Sequence, residues 1–379
     1  MTTATDAANP SDATDPSETT GAWHGSHPGR WAAPDHDLRH HGDQDLAPGL
    51  VDLAVNVRRT SPPAWLAQVL ASTIDGLGSY PDPADARRAL AARHGVDPSH
   101  VLPTSGGAEA FTLLARSLRP MRPLVVHPQF TEPEVALVAA GHRPQRHLLD
   151  SSRGFPLDPE AVDPRADLVV IGNPTNPTGV LHPATALEQL RRPGRVLVVD
   201  EAFMDAVPGE AESLIGRAMD GVLVLRSLTK TWGLAGLRAG YVVGDPGLVE
   251  RLRAVQPPWS VSSPALAAMV ACSTETALAE SGRAAQLVEE HRGILVAALS
   301  RHGFAPAAPS GAPFVLIDTS GLGPGSIRTE LAALGLAVRR GETFPGLGPT
   351  WIRVAVRTPD ITARLVAALR TIRRNRRAA

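Results

Sequence analysis

The sequence predicts an α/β protein in which a mostly parallel sheet is covered by helices and a smaller α/β domain follows at the C-terminal end. The 379 residues are 43% hydrophobic and 20% charged, enough for one large domain and a second, smaller one. Short β-branched runs alternate with helical stretches, an order typical of parallel sheets buried on both faces. A second group of such runs follows a long helical stretch near the C-terminus.

The elements are predicted in chain order from the spacing of apolar residues. Residues 51–57 are expected to be extended, a helix follows at 63–77, and a turn follows at Tyr80. A helix over Ala84–His94 is expected to begin after Pro83 and to end before Gly95, because proline suits the start of a helix and glycine its end. Buried strands are expected at 124–126, 168–171, 196–199 and 222–225. The C-terminal part is expected to hold a helix at 264–300, strands at 314–318, 337–339 and 351–356, and a last helix at 362–373.

The chain is expected to divide into four parts. Residues 1–35 are rich in Ala, Thr, Ser, Asp and Pro and hold few large aliphatic side chains, so burial cannot offset the entropy lost on ordering, and we expect a disordered tail. Residues 36–71 are expected to form an N-terminal arm that packs with the small domain. Residues 72–258 would then form the large, ligand-binding domain and residues 259–379 the small C-terminal domain.

Charge and composition exclude several classes of protein. The formal net charge of −1 gives no electrostatic footprint for nucleic acid, and no run approaches the roughly 20 apolar residues of a membrane span. The acidic start of the chain does not resemble a secretory signal, so a cytoplasmic location is expected. Cys272 is the only cysteine, which excludes internal disulfides and cysteine-based zinc sites. No metal site is expected, because no carboxylate or cysteine framework accompanies His24, His27, His36 and His40.

The basic residues are unevenly divided between arginine and lysine. Of the 37, 36 are arginines and one is Lys230. A chain that uses arginine wherever a positive charge suffices needs lysine only where an amine must lose its proton, since arginine cannot do so in a protein. Schiff-base chemistry with a carbonyl group has that requirement, and Lys230 is therefore the first candidate for a catalytic residue. The alternative is an ordinary surface lysine.

The surroundings of Lys230 favour the catalytic interpretation. The lysine lies just past a predicted buried strand, with Ser227 before it and Arg238 among glycines after it. A hydroxyl and a guanidinium suit a phosphate dianion, and glycines allow the backbone to approach closely. Upstream, another predicted strand ends at Asp200, where a carboxylate would pair with a pyridinium nitrogen. Pyridoxal 5'-phosphate is the cofactor that needs an amine, a phosphate site and such an acid together.

Two further segments suit the same cofactor, although each alone would be an ordinary turn. Gly106 and Gly107 open an apolar helix, whose free N–H groups and dipole favour a phosphate. Asn176 lies in an Asn-Pro-Thr-Asn-Pro-Thr-Gly loop after a predicted strand, where its amide would face the cofactor ring.

These motifs, in this order, resemble those of the fold-type I pyridoxal phosphate enzymes of the class I/II aminotransferase superfamily. The resemblance covers roughly residues 40–370 and implies a seven-stranded, mostly parallel sheet in the large domain. It also implies the following cofactor contacts: Lys230 bound covalently, Asp200 at the pyridine nitrogen, Asn176 at the phenolic oxygen, Phe130 stacked on the ring, and Ser227, Arg238, Gly106 and Gly107 around the phosphate.

The resemblance implies a substrate site and a homodimer as well. Arg353 falls where the family binds the substrate α-carboxylate, and Tyr80 matches a tyrosine that reaches the phosphate in the neighbouring subunit. Within the superfamily the motifs are most similar to those of the L-threonine-O-3-phosphate decarboxylases of cobalamin biosynthesis, with the histidinol-phosphate aminotransferases as the nearest related group. The remaining candidates for contacts with a small phosphorylated amino acid are His41, Asn56, Arg339 and Arg357.

Three functions therefore stay open at the level of sequence. Phe203, where aminotransferases usually carry a tyrosine, favours the decarboxylase, so decarboxylation of L-threonine O-3-phosphate is the main prediction. A histidinol-phosphate-type aminotransferase is the alternative, and a non-catalytic sensor that binds pyridoxal phosphate is the alternative of another class. The chain also departs from the decarboxylase motifs by adding acidic Asp43 and Glu342, which would repel a nearby phosphate, and arginines Arg58, Arg59 and Arg340.

Overall fold

The computed structural model describes residues 37–378, in which the strands form two sheets. The predicted tail at residues 1–35 lies outside the described residues. The strands are β1 Val51–Leu53, β2 Val101–Thr104, β3 Pro123–His127, β4 Gln145–Leu148, β5 Leu168–Gly172, β6 Val196–Asp200, β7 Val222–Ser227, β8 Gly240–Gly244, β9 Phe314–Asp318, β10 Leu336–Arg340 and β11 Trp351–Ala355. The α-helices are α1 Ala64–Ala71, α2 Ala84–His94, α3 Gly106–Leu118, α4 Glu132–Ala139, α5 Ala184–Glu188, α6 Thr229–Trp232, α7 Pro246–Val255, α8 Ser263–Ala271, α9 Glu275–Arg301, α10 Arg328–Ala333 and α11 Pro359–Ala378.

The larger sheet has seven strands in the order β2-β8-β7-β6-β5-β3-β4, and only β8 runs antiparallel to its neighbours. Strands β3, β5 and β7 are buried along their whole length, as expected for Val- and Leu-rich runs covered on both faces. Because β5, β6 and β7 are parallel neighbours, the chain leaves all three at one edge of the sheet. Ligand sites of α/β proteins lie at this carboxyl edge.

The smaller sheet has four strands in the order β1-β10-β11-β9. The first strand of the described residues, β1, thus pairs in parallel with β10, which lies near the C-terminal end. Strands β10 and β11 are antiparallel, and their register places Arg339 directly opposite Arg353. Opposite residues of an antiparallel pair share one face of the sheet, so the two arginine side chains are neighbours.

Two of the predicted elements are shorter than expected. The extended segment at 51–57 is a strand only over Val51–Leu53, because the Asp52 carboxylate accepts hydrogen bonds from the N–H groups of Ala54 and Val55, both at 2.8 Å, and turns the chain. The helix at 63–77 ends at Ala71 and is followed by a 3-10 turn over Ile74–Gly76.

The prediction of a single helix at 264–300 is wrong, because the chain forms two helices there. Helix α8 ends at Ala271, and the Thr274 side chain then accepts the N–H of Ala277 and caps a new helix, α9. A threonine at this position favours a helix start, which the apolar spacing alone did not distinguish from a helix interior. Over the described part of the chain, no helix is long and apolar enough to cross a membrane.

Candidate active site

Lys230 lies on the short helix α6, just beyond the carboxyl end of β7. Its Nζ is 5.7 Å from the centroid of the Phe203 ring. Burial and, to a smaller extent, the guanidinium groups of Arg353 and Arg238 together lower the pKa of Lys230 to about 8, although Asp200 and Asp43 act in the opposite direction. An amine with this pKa is partly neutral near physiological pH, which is the form that attacks carbonyl groups and accepts protons.

Asp200 ends the neighbouring strand β6. Burial raises the pKa of its carboxyl to about 6, while a hydrogen bond from the N–H of Ala202 at 3.0 Å and the charge of Lys230 favour ionisation. Among residues 37–378, Lys230 is the cation whose charge acts on this carboxylate, and a cationic ring nitrogen placed opposite would further stabilise the ionised form.

Gly106 and Arg238 form the wall where a phosphate is expected. Gly106 begins α3 with φ +76°, and a Cβ at this position would lie 2.5 Å from Nη2 of Arg238. A Cβ on Gly240 would in turn meet the Gly106 Cα at 2.9 Å. Glycine is therefore required for the guanidinium to lie against the helix N-terminus, where free N–H groups favour an anion.

Ser227 lies beside this wall at the end of β7, where its hydroxyl is 2.7 Å from the hydroxyl of Thr229. Gly107 follows Gly106 in the first turn of α3. Sequence reasoning missed Thr229, although a hydroxyl one position before Lys230 and two after Ser227 was a signal for it.

Asn176 and Arg353 meet across the site. The Arg353 guanidinium donates from Nη1 to Oδ1 of Asn176 and from Nη2 to the carbonyl of Ala54. With its amide oxygen turned toward Arg353, Asn56 accepts from the same two nitrogens at 3.0 and 3.3 Å. Burial and the nearby Arg339 hold the pKa of Arg353 well below its usual range, so an anion bound here would stabilise the cation.

Arg339 is held by the N-terminal part of the chain. Its Nη2 donates to the carbonyl of His40 at 2.8 Å and to the hydroxyl of Thr343 at 2.7 Å, and its Nη1 is 3.5 Å from the Asp45 carboxylate. Sequence reasoning missed Asp45, which is buried although carboxylates are mostly exposed. No pattern in the sequence placed it beside a residue nearly 300 positions later.

Most of the predicted residues line one cavity of about 480 Å³. His41 lies at its edge with Nε2 2.8 Å from Oε1 of Glu132, and its ring centroid is 5.8 Å from that of Phe130. Asp43, which was expected to repel a phosphate, is exposed and lines the same cavity. The predicted residues brought together there are His41, Asn56, Phe130, Asn176, Lys230, Arg238, Arg339 and Arg353.

Six predicted residues do not line this cavity: Asp200, Ser227, Gly106 and Gly107, described above, and Arg357 and Tyr80. Arg357 donates to the carbonyls of Asp52 at 3.1 Å and Val55 at 2.8 Å, and it lines a second cavity next to Lys230. Tyr80 is 77% exposed and stacks on Trp259 with ring centroids 4.2 Å apart, outside the Lys230 cavity. The contact expected for Tyr80 is with another subunit, so it stays a prediction.

The donor set fits pyridoxal phosphate. The steric need for glycine at Gly106, beside Arg238 and a helix N-terminus, leaves a cradle for a phosphate, and Lys230 supplies a partly neutral amine. With its seven-stranded sheet and its lysine beyond β7, the chain has the architecture of the fold-type I enzymes, which depend on pyridoxal phosphate.

Comparisons with known proteins agree with this class. The pattern of the family described as aminotransferase class I and II matches residues 48–369. The chain therefore belongs to the class I and II aminotransferase family, and the predicted fold class and cofactor are confirmed. An aspartate aminotransferase structure from Thermus thermophilus superposes with a TM-score of 0.77 at 25% identity, over 86% of this chain and 92% of that one.

Two curated relatives bear on the reaction. A histidinol-phosphate aminotransferase of Mycobacterium tuberculosis is 48% identical over 325 residues, 84% of this chain and 87% of the relative. A threonine-phosphate decarboxylase of Salmonella typhimurium is 31% identical over 339 residues, 85% of this chain and 91% of the relative. The similarity thus favours the alternative prediction, an aminotransferase, over the main prediction of a decarboxylase.

Proposed function

We propose that the chain is an aminotransferase of the histidinol phosphate type, acting on a small phosphorylated amino compound. The observation that carries the proposal is Arg353, whose buried guanidinium lies in the cavity of Lys230 and forms no ion pair with a carboxylate of residues 37–378. Such a group is suited to bind an anionic substrate beside the amine. The 48% identical relative named as an aminotransferase supports this reaction over the decarboxylase.

The residues of the site would have two roles, binding the cofactor and transferring a proton. Gly106, Ser227 and Arg238 would hold the cofactor phosphate, and Asp200 would accept a hydrogen bond from the ring nitrogen. Pyridoxal phosphate, when bound, draws electrons from the carbon that bears the substrate's amine. Lys230, with its pKa of about 8, accepts a proton at Nζ and returns it, as a general base and acid.

Orientation of the substrate selects the reaction. Arg353 and Arg339 are adjacent across β10 and β11 and would hold a carboxylate of the second substrate, 2-oxoglutarate or glutamate, in a fixed direction. For transamination, the residues of the site would have to hold the substrate so that its Cα–H bond faces Nζ of Lys230, which would take up the proton. For decarboxylation, they would instead have to leave the bond to the carboxylate exposed to a bound cofactor.

Decarboxylation of L-threonine O-3-phosphate is the second candidate, and Phe203 is the observation that favours it. The Phe203 ring lies beside Lys230 and packs edge-on against Phe314, with centroids 5.0 Å apart. A phenylalanine supplies no hydroxyl where the aminotransferases usually carry a tyrosine. This substrate carries a carboxylate and a phosphate, which the several arginines of the site would also suit.

One pair of assays decides between the candidates. The holoenzyme is incubated with histidinol phosphate and 2-oxoglutarate, and glutamate is measured. In parallel it is incubated with L-threonine O-3-phosphate without any keto acid, and CO2 is measured. Glutamate formation that requires 2-oxoglutarate is the expected result. Release of CO2 without glutamate formation would replace the aminotransferase by the decarboxylase, and inertness in both assays would favour a sensor that binds pyridoxal phosphate.

A further inference from the structure

Three arginines set this chain apart from the motifs that it resembles, and the structure gives them different surroundings. Arg59 is bound by Glu280, with Nη2 and Oε1 2.8 Å apart. Arg340 is bound by Asp45, with Nε and Oδ1 3.0 Å apart. Within residues 37–378, Arg58 forms no ion pair with any carboxylate. Of the three arginines, Arg58 is thus the one whose guanidinium is not paired with a carboxylate and could bind an anionic ligand.

The main chain of Arg58 is hydrogen-bonded to that of Lys230. Its N–H donates to the carbonyl of Lys230 at 3.1 Å. Its side chain lines a second cavity, of about 200 Å³, to which Lys230, Asn56 and Phe203 also contribute. Because the same three residues line the larger cavity as well, the two cavities meet at Lys230.

The opposite wall of this second cavity comes from helix α9 and from the segment after β11. Helix α9 contributes Ala284, Val288 and His291. The wall therefore combines small and apolar side chains with one imidazole, which leaves room for a polar ligand group beside Arg58.

Besides Arg58 and Lys230, the arginine and the carboxylate that line the second cavity are already bonded. Arg357 donates to two main-chain carbonyls, as described above. Asp205 is held by Arg93 and Arg226, each at 3.1 Å. Burial and the adjacent Arg59 lower the pKa of Arg58, while Glu280 acts in the opposite direction, so a bound anion would stabilise the Arg58 cation.

We propose that Arg58 binds the phosphate group of the substrate in the second cavity, on the α9 side of Lys230. The amine of the substrate then lies at Lys230, and its phosphate points away from the cofactor phosphate site at Arg238. This inference rests on the proposed function, since it assigns the phosphate of that substrate class to a particular residue. Arg58 acts as a specificity-determining residue that distinguishes phosphorylated substrates from their dephosphorylated counterparts.

The test compares Arg58→Met with Arg283→Met in the holoenzyme. Arg283 lies on α9 but is exposed, so its variant removes the same charge without altering the cavity. Binding of inorganic phosphate is measured by calorimetry, and KM is measured for histidinol phosphate and for histidinol. Loss of one charge-assisted hydrogen bond should weaken phosphate binding and raise the KM for histidinol phosphate by about ten- to a hundredfold, with little change for histidinol.

The result that would overturn the inference is equal phosphate affinity in Arg58→Met and Arg283→Met, or equal loss for histidinol phosphate and histidinol. The cofactor absorbance of each variant shows that the site is folded and loaded. If neither proposed substrate is turned over while phosphate binding still depends on Arg58, the proposed function fails and the phosphate site stands. An Arg58→Lys variant should keep part of the phosphate affinity, since it keeps the charge but not the planar donor fork.

Discussion

Lys230 combines a half-buried position with two neighbouring guanidinium groups, and its reactivity should follow from them. Since only the neutral amine attacks a carbonyl, the rate at which apo-chain binds pyridoxal phosphate covalently should rise about tenfold per pH unit below the pKa and level off above it. With the pKa lowered to about 8 from 10.5, the plateau should begin near pH 8. Stopped-flow absorbance over pH 6–10 measures this profile.

A variant of Arg353 shows how far this neighbouring cation determines the pH dependence of cofactor binding. In Arg353→Gln, one of the cations that disfavour the charged lysine is removed, so the plateau should move to higher pH. A rate that still rises at pH 10 in the unchanged chain would contradict the lowered pKa of Lys230.

Gly106 is the residue whose size decides whether a phosphate cradle exists. In Gly106→Ala the new methyl group would meet the Arg238 guanidinium, and the left-handed φ of +76° disfavours any side chain. We expect cofactor affinity to fall by about tenfold or more, because Arg238 must move from the helix N-terminus. Gly107→Ala is the matched control, since its Cβ would meet only a Phe111 carbon at 3.9 Å. Equal cofactor affinity in the two variants would contradict the steric argument.

At the scale of elements, one buried ionic cluster joins the strand ends that carry the site. Arg226 of β7 is 1% exposed and faces Glu201 at 3.5 Å, Asp205 at 3.1 Å and Glu210. Glu201 and Arg226 directly adjoin Asp200 and Ser227 in the chain. The cluster therefore fixes the ends of β6 and β7 relative to each other.

Removing Arg226 should be costly, because it leaves buried carboxylates without their partner. We expect Arg226→Met to lower the free energy of unfolding by about 3–5 kcal/mol in urea denaturation. The exposed pair of Arg165 and Asp163, 3.1 Å apart, supplies the control, since Arg165→Met should cost less than about 1 kcal/mol. A loss no larger than that of the control would show that the cluster does not hold the strands.

The carboxyl ends of the strands are also where the sequence predicted the positions of candidate residues correctly, while their roles stay predictions. Lys230, Asp200 and Asn176 were predicted because each follows a short apolar run, and such a run has few alternatives to a buried strand. The contact between Arg339 and Arg353 was beyond reach, because it depends on the register of β10 against β11. The role of Asp45 was hidden for a similar reason, since a long-range contact leaves no local pattern.

At the scale of the whole molecule, we propose that the chain works as a homodimer. Tyr80 and Trp259 form a stacked aromatic pair that is largely exposed, with 77% and 59% of the two residues accessible. Exposed large aromatic groups are typical of protein–protein interfaces. The implied role of Tyr80 is in the active site of the neighbouring subunit.

Mixing two inactive variants tests the dimer. Tyr80→Ala and Lys230→Ala each damage every site in their own dimers, but a mixed dimer has one site with both residues intact. Random subunit exchange of equal amounts should therefore restore about a quarter of the sites. Sedimentation of a single monomeric species, or no gain in activity on mixing despite proven exchange, would contradict shared sites.

The scarcity of lysine has a practical consequence for labelling. Reagents that acylate amines find, apart from the amino terminus, a single side chain among 379 residues, and that side chain is half-buried in the active site. If the cofactor is bound to Lys230 as proposed, it would block this amine. The mass added at Lys230 by such a reagent would then count the molecules that lack cofactor, and the chain would report its own site occupancy without a turnover assay.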